Sequence, residues 1–205
     1  MAATRQRPST QPEINEFRRR ALMEATIDIL AKKGVAGATV RAITTAAETS
    51  HGLIGHYYTS KDELLVAALQ HLFARVGDGV GRAIRAAGDD PVRRLHAWPE
   101  GMFSPAVFMP ANRAAFLAFW HEIRFNPAVR EANRRLYLGY RERCEALFEK
   151  AAAAKEIRLD AAHAAVGLIA LIDGLWLDLS IEVGLVTREG AIELCQDFIE
   201  QRLAG

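Results

Sequence analysis

The segment from Thr39 to Leu65 constrains its own conformation more than any other part of the chain. Thr39 is a residue type that caps helix N-termini, and apolar residues at helical spacing follow it. Residues 47–49 interrupt this spacing, and Ser50 can cap a second short helix. Ser60 and Glu63 then form the capping box that begins a longer helix. The segment therefore predicts two short helices, a tight turn between them, and a long helix after them.

The spacing of apolar residues predicts which faces of the two short helices are buried. The first helix is expected to bury Val40, Ile43, Ala46 and Ala47, and the second Ile54 and Tyr58. Gly52 and Gly55 each cost the second helix roughly 1 kcal/mol relative to alanine. Glycine is useful where a backbone approaches another surface closely, and the DNA major groove, about 12 Å wide, is such a surface. The pattern favours a helix whose N-terminal end enters DNA.

Three pieces of this segment, TVRAI, HYY and SKDELL, resemble the DNA-binding domain of the TetR family of bacterial transcription regulators. The resemblance implies contacts with the DNA backbone near the starts of the second and fourth helices and at the end of the recognition helix. It implies base contacts at the beginning of the recognition helix. The backbone-contacting positions are Thr39, Arg41, His56, Tyr57 and Lys61, and the leading surface carries Ser50, His51, Gly52 and Leu53.

Two residues depart from the family pattern. Glu48 occupies the position in the turn where the family usually has glycine, so it must either adopt left-handed backbone geometry or remodel the turn. Gly55 occupies a position where many members have an aromatic residue that contacts a phosphate. We therefore expect one DNA contact fewer at Gly55.

A first helix is predicted upstream of this segment. Phe17, Ala21, Ala25 and Ile29 recur at helical spacing, which indicates about 18 residues of helix ending at Lys33, before Gly34. Residues 1–12 are polar, contain two prolines and read as a flexible arm. Arg5 and Arg7 either reach a minor groove from this arm or make no ordered contact. We assign residues 13–60 to a helix-turn-helix domain and residues 61–205 to a second, ligand-binding and dimerisation domain.

The remainder of the chain predicts an all-α fold, because no alternating strand pattern is present and Gly and Pro separate helical stretches. The expected helices are 61–87, 91–103, 112–125, 126–154, 160–183 and 187–203, which gives about nine helices in total.

Net charge is only +1. Residues 1–65 carry nine Lys/Arg and seven Asp/Glu, a difference of +2, which is weak support for DNA binding.

Residues 164–181 are apolar on nearly every face, but Asp173 and Asp178 argue against a membrane span. Such a helix must be covered on all sides. We expect its inner face to pack on its own domain and its outer face on a second copy, together with a stripe on the last helix formed by Ile192, Cys195, Ile199 and Leu203. This predicts a homodimer through the last two helices. In the family such a dimer spaces two recognition helices roughly 34 Å apart and reads a palindromic operator in double-stranded DNA.

Two segments point to a small-molecule effector: AFLAFWHEI at 115–123 and ALIDGLWLDL at 170–179. Both resemble the choline-responsive, BetI-like repressor subgroup of the TetR family. Phe116 and Trp120 lie four apart, and Asp173 and Trp176 three apart, so each pair shares a helix face. The hypothesis is an aromatic and anionic box for a quaternary ammonium or amine cation. Its predicted members are Phe116, Trp120, Tyr137, Asp173 and Trp176, with Glu122 as an alternative anion.

The sequence leaves alternatives to this box. The aromatic residues are equally typical of a hydrophobic core, with Asp173 hydrogen-bonded to a neighbouring helix. Alternatively, an apolar pocket for a drug-like or lipid-like effector is formed by Trp98, Met102, Phe103, Phe108 and Met109, or the second domain binds no effector.

An enzyme is not favoured, because the six histidines show no metal-ligand spacing and no nucleophile motif or phosphate-binding glycine loop is present. We therefore expect no cofactor and no metal. Cys144 and Cys195 lie far apart in the sequence, which fits a reduced, cytoplasmic protein.

Overall fold

A computed structural model describes residues 10–182 and 184–204, with the side chains of His51 and Leu53 left out. Nine helices and no strands are present within these residues, which confirms the all-α prediction. The helices are α1 (Gln11–Gly37), α2 (Val40–Ala46), α3 (His51–Tyr57), α4 (Lys61–Ala86), α5 (Pro91–Met102), α6 (Pro110–Phe125), α7 (Pro127–Ala154), α8 (Ala161–Ser180) and α9 (Arg188–Leu203).

Helix α1 begins earlier than its apolar spacing indicated. Thr10 is the N-cap, and its hydroxyl and the Glu13 carboxylate form a reciprocal capping box with the backbone. Gln11 and Pro12, expected in a flexible arm, are therefore helical, and residues 1–9 of that arm lie outside the described residues, as do Arg5 and Arg7. Gly34 interrupts the helical geometry with a φ of 63°, as its position predicted.

Two hydrophobic cores position the functional surfaces. The smaller core joins α1, α2, α3 and the start of α4 through Leu22, Ala25, Ile43, Tyr57, Tyr58 and Leu64. The larger core includes Ile27 and Leu30 from α1 and Leu69, Leu72 and Val76 from α4, and it extends through α5 to α9. Because α4 contributes to both cores as one continuous helix, it connects the first three helices mechanically to the others.

The buried face of α2 and the end of α8 differ from those expected. Ala46 is exposed, because α2 is only seven residues long and buries Ile43 and Thr44. Helix α8 ends at Ser180, three residues before the predicted end. Glu182 and Gly184 have φ values of 57° and 80°, which no α-helix can include.

The apolar stripe predicted for a second copy lies inside the protomer instead. Cys195, Ile199 and Leu203 are buried in the larger core. Since α9 packs on α5 as well as α8, its apolar face is already covered. Other apolar residues near these two helices are exposed: Val166, Leu177, Ile181, Leu185 and Leu194.

Helix α8 is long and apolar enough, by composition alone, to cross a membrane, with a mean hydropathy of 1.5. However, it buries Leu168, Ile172 and Trp176 against the larger core. It also carries two charged residues, Asp173 and Asp178. We interpret α8 as a core helix with one uncovered face.

Candidate functional site

The turn between α2 and α3 sets how the predicted recognition helix leaves the small core. Glu48 has a φ of 51°, so this residue accepts the left-handed geometry for which glycine is usual. The Thr49 amide then donates to the Thr44 carbonyl at 2.9 Å and closes the end of α2. Of the two expectations for Glu48, the first is confirmed.

Short-range hydrogen bonds define the helix starts on this surface. The Thr39 hydroxyl accepts from the Ala42 amide at 3.1 Å, as predicted. The Ser60 hydroxyl accepts from the Glu63 amide at 3.1 Å, but the Glu63 carboxylate accepts from the amide and hydroxyl of Thr59 rather than from Ser60. Ser50 holds the N-cap position of α3 without a capping bond in the described structure.

Most predicted DNA contacts with described side chains lie on the surface. The exposed members are Thr39, Arg41, Ser50, Gly52, His56 and Lys61. Within the described residues, Arg41 and Lys61 form no ion pair. Two cationic side chains are therefore available to phosphates. The side chains of His51 and Leu53, predicted to face bases, lie outside the described part of the structure.

Tyr57 requires a correction. Its side chain is packed in the small core with 6% exposure, and its hydroxyl donates to Asn15 Oδ1 at 3.0 Å. The Arg19 guanidinium lies 5.8 Å from the ring centroid. Because α3 ends at Tyr57, this residue turns towards α1 and holds the recognition helix on the core. The structure thus assigns it to packing rather than to a free contact with DNA.

The predicted effector residues meet at one cavity of about 110 Å³, lined by α4, α5, α6, α7 and α8. All five predicted residues line it: Phe116, Trp120, Tyr137, Asp173 and Trp176. Glu122, the alternative anion, does not line the cavity and instead accepts from Asn126 Nδ2 at 3.0 Å. The two sequence segments therefore form one site, with Asp173 as its acidic residue.

Edge-to-face aromatic contacts build the cavity wall. The rings of Phe116 and Trp176 are 5.5 Å apart at 89°, and Phe73 lies 5.5 Å from Phe116 and 5.7 Å from Tyr137. Such geometry is favourable between aromatic rings. Trp98 contributes to the same wall, and its Nε1 donates to the Tyr140 hydroxyl at 3.2 Å.

Asp173 is a partly desolvated carboxylate in this aromatic setting. The Tyr137 hydroxyl donates to Asp173 Oδ2 at 3.1 Å. Burial raises the pKa of Asp173 from 3.8 to about 6, although the hydrogen bond from Tyr137 opposes the rise. Burial and the neighbouring carboxylate also raise the pKa of Tyr137. At neutral pH the cavity therefore contains an anion that has lost part of its hydration and gains from a cationic partner.

The apolar alternative does not form a separate pocket. Trp98 and Met102 line the same cavity as Asp173. Phe103 is fully buried in the core, Phe108 packs on Trp176 at 4.9 Å, and Met109 is 40% exposed.

Sequence reasoning missed the contribution of α4 and the outer part of α7. Phe73, Gly77 and Gly81 of α4 and Arg143 of α7 also line the cavity. The glycines lie four apart and so share one helix face, which was the available signal. Among the described residues, no group of three His, Cys, Asp or Glu side chains is placed to hold a metal, and Cys144 and Cys195 are free thiols.

Two protein families match parts of this chain. Residues 22–68 match the bacterial regulatory proteins of the tetR family, and residues 91–204 match the C-terminal region of BetI-type transcriptional repressors. The HTH-type transcriptional regulator BetI of Burkholderia thailandensis is 33% identical over 195 residues, covering 93% of this chain and 96% of that protein.

Solved structures share the fold. A transcriptional regulator from Pseudomonas aeruginosa PAO1 is 32% identical with a TM-score of 0.84, over 96% of this chain and 93% of that one. A regulator from Saccharomonospora viridis in complex with choline has a TM-score of 0.75 at 22% identity, over 89% of this chain and 95% of that one.

Proposed function

Because this chain belongs to the TetR family of DNA-binding transcriptional regulators and has a BetI-type repressor C-terminal region, we propose that a small organic cation releases it from its operator. The ligand class is a quaternary ammonium or another compact amine cation. The protein acts in the cytoplasm as a homodimer on a palindromic operator in double-stranded DNA. No catalytic step is part of this function.

The observation that carries the proposal is the partly buried carboxylate of Asp173 within an aromatic wall. An ionised carboxylate loses hydration in such a site, and a bound cation compensates for that loss. A cation placed against the ring face of Trp120 or Trp176 would gain cation–π attraction of about 0.5 to 2 kcal/mol per ring. The choline complex of the Saccharomonospora viridis regulator supports a ligand of this size and charge in this fold.

The DNA-binding output uses the exposed ends of the short helices. Thr39, Arg41 and Lys61 are available for phosphates, and Gly52 leaves the start of α3 uncovered. The exposed apolar residues along α8 and α9 provide a self-complementary dimer face. In such a dimer, the separation of the two α3 helices decides whether both reach the major groove.

Helix α6 connects the cavity to the DNA-binding helices. It carries Phe116 and Trp120 at the cavity and packs along α1. At its end, Asn126 caps α7 and donates from Nδ2 to Asp62 Oδ1 at 2.8 Å, at the start of α4. A ligand that favours one position of α6 thereby shifts the equilibrium between two placements of α1 and α4.

Calorimetric titration tests the cation. Wild-type protein is titrated with choline, tetramethylammonium and 3,3-dimethylbutanol, the uncharged carbon analogue of choline. We expect the cations to bind at least about tenfold more tightly than the uncharged analogue, and Asp173→Asn to reduce that difference, because only the cation–π contribution of the rings then remains. Equal affinity for choline and its uncharged analogue would refute the cation site.

Electrophoretic mobility shifts test the DNA surface, using a duplex selected from a random-sequence pool. Lys61→Ala and Arg41→Ala should each weaken binding to all sequences similarly and reduce the salt dependence by about one phosphate contact. Lys150→Ala, an exposed lysine on α7, is the matched control and should leave both quantities unchanged. If the three variants behave alike, the assigned surface is wrong.

A further inference from the structure

Arg143 is a cationic residue at a cavity that is expected to take a cation. It lines the cavity but is itself exposed, so it marks the side where the cavity meets solvent. It forms no ion pair or hydrogen bond with any described residue. A bare cation gains nothing from this guanidinium and is repelled by it.

Asp173 of α8 meets α7 at Tyr137, whereas Arg143 lies further along α7. Tyr137, which holds Asp173, precedes Arg143 by six residues, or about 9 Å of helix rise.

The facing helix leaves room between these two levels. Phe73 of α4 contacts Tyr137 at the inner level, and Gly77 and Gly81 continue along the cavity one and two turns later. A Cβ added at Gly77 would meet no atom within 4 Å, so open space remains beside it. The cavity thus runs from an anionic aromatic end to an outer end with an unpaired arginine.

From this arrangement we propose that the effector is a compact zwitterion, whose ammonium group is held at Asp173 and whose carboxylate is bound by Arg143. The inference rests on the proposed function and names its ligand class more narrowly. Arginine binds carboxylates through two parallel hydrogen bonds, and it does so best when it has no protein partner to give up. Arg143 is then a specificity-determining residue that separates zwitterions from simple cations.

The test is calorimetric titration of the full chain with matched ligands. These are choline and trimethylammonium carboxylates with one, two or three methylenes between the charges, together with the methyl ester of the best zwitterion. We expect the best zwitterion to bind about tenfold more tightly than its ester and than choline.

Variants of Arg143 test whether this residue is responsible for the preference for zwitterions. Arg143→Ala should lower the affinity for the zwitterion about tenfold or more and leave choline unchanged or slightly tighter. Arg143→Glu should reverse the preference in favour of choline. Arg134→Ala removes the same charge from α7 away from the cavity and is the control. Because Arg143 and Arg134 are exposed, all three variants should fold, which circular dichroism verifies.

Two outcomes overturn the inference. The first leaves the proposed cation site in place, and the second removes it as well. If choline and the ester bind as tightly as every zwitterion, or Arg143→Ala weakens all ligands alike, the zwitterion is wrong and the cation site stands. If no charged ligand binds and Asp173→Asn changes nothing, the cation site falls with it.

Discussion

Replacing Asp173 with asparagine measures how much the ionised carboxylate destabilises the ligand-free fold, separately from its proposed role in ligand binding. The asparagine side chain has nearly the same shape, and its oxygen can still accept the hydrogen bond from Tyr137. The substitution therefore removes the charge and leaves the packing in place. We expect the ligand-free Asp173→Asn protein to be more stable than wild type at neutral pH.

The magnitude follows from the pKa of Asp173. Burial raises it from 3.8 to about 6, so ionisation is less favourable in the folded state by about 2 pKa units. At 1.36 kcal/mol per unit, the ionised group costs the fold up to about 3 kcal/mol at pH 7. Because folding raises the pKa of this carboxyl group, the protonated form is the one that the fold favours. This form predominates at low pH and is lost as pH rises towards 6, so wild-type stability falls over that range. The advantage of Asp173→Asn should thus shrink by roughly 1 kcal/mol between pH 7 and pH 5.

Urea unfolding at pH 7, 6 and 5 measures this difference. Protein concentration is held constant because dimerisation contributes to apparent stability. Asp197→Asn, on the exposed surface of α9, is the control and should remain within about 0.5 kcal/mol of wild type. The reasoning is refuted if Asp173→Asn is less stable than wild type at pH 7, or if its advantage is the same at all three pH values.

Four further substitutions test the fold around the sites. Glu48→Gly should stabilise the protein by about 0.5–1 kcal/mol in urea unfolding, because glycine relieves left-handed strain at the turn. Asn126→Ala should cost about 1–2 kcal/mol, since it removes the cap of α7 and the bond to Asp62; an unchanged unfolding midpoint would contradict this role. Gly101→Ala should cost about 1–3 kcal/mol, because its Cβ would lie 2.9 Å from the α4 backbone. Gly139→Ala, with open space, should be neutral or stabilising in the same urea unfolding measurements.

The helix boundaries were largely predictable because they depend on local chemistry. Thr39 and Ser60 cap the helices that the sequence indicated, and Gly34 interrupts α1 where expected. Glu48 adopts one of the two conformations open to a non-glycine residue in that turn. The start of α1 was missed because the N-cap, Thr10, was included in a polar arm, although with Glu13 it forms a capping box.

Side-chain direction was less predictable in short or uniformly apolar helices. Ala46 faces solvent and Tyr57 faces the core, since seven-residue helices have too few turns for a clear apolar face. Cys195 and Ile199 form a real stripe on α9, but a stripe does not identify the surface that covers it. Here α5 and α8 cover it within the protomer.

The sequence by itself determined the helices, the tight turn and the pairing of Asp173 with Trp176 on one face of α8, because capping bonds and helical periodicity act over a few residues. Only the tertiary structure decided that Tyr137 meets Asp173 and that Arg143 lies further along the same cavity. These relations join helices far apart in the sequence. Desolvation, which raises the pKa of Asp173 and prepares it for a cation, arises from that packing and has no local signal in the sequence.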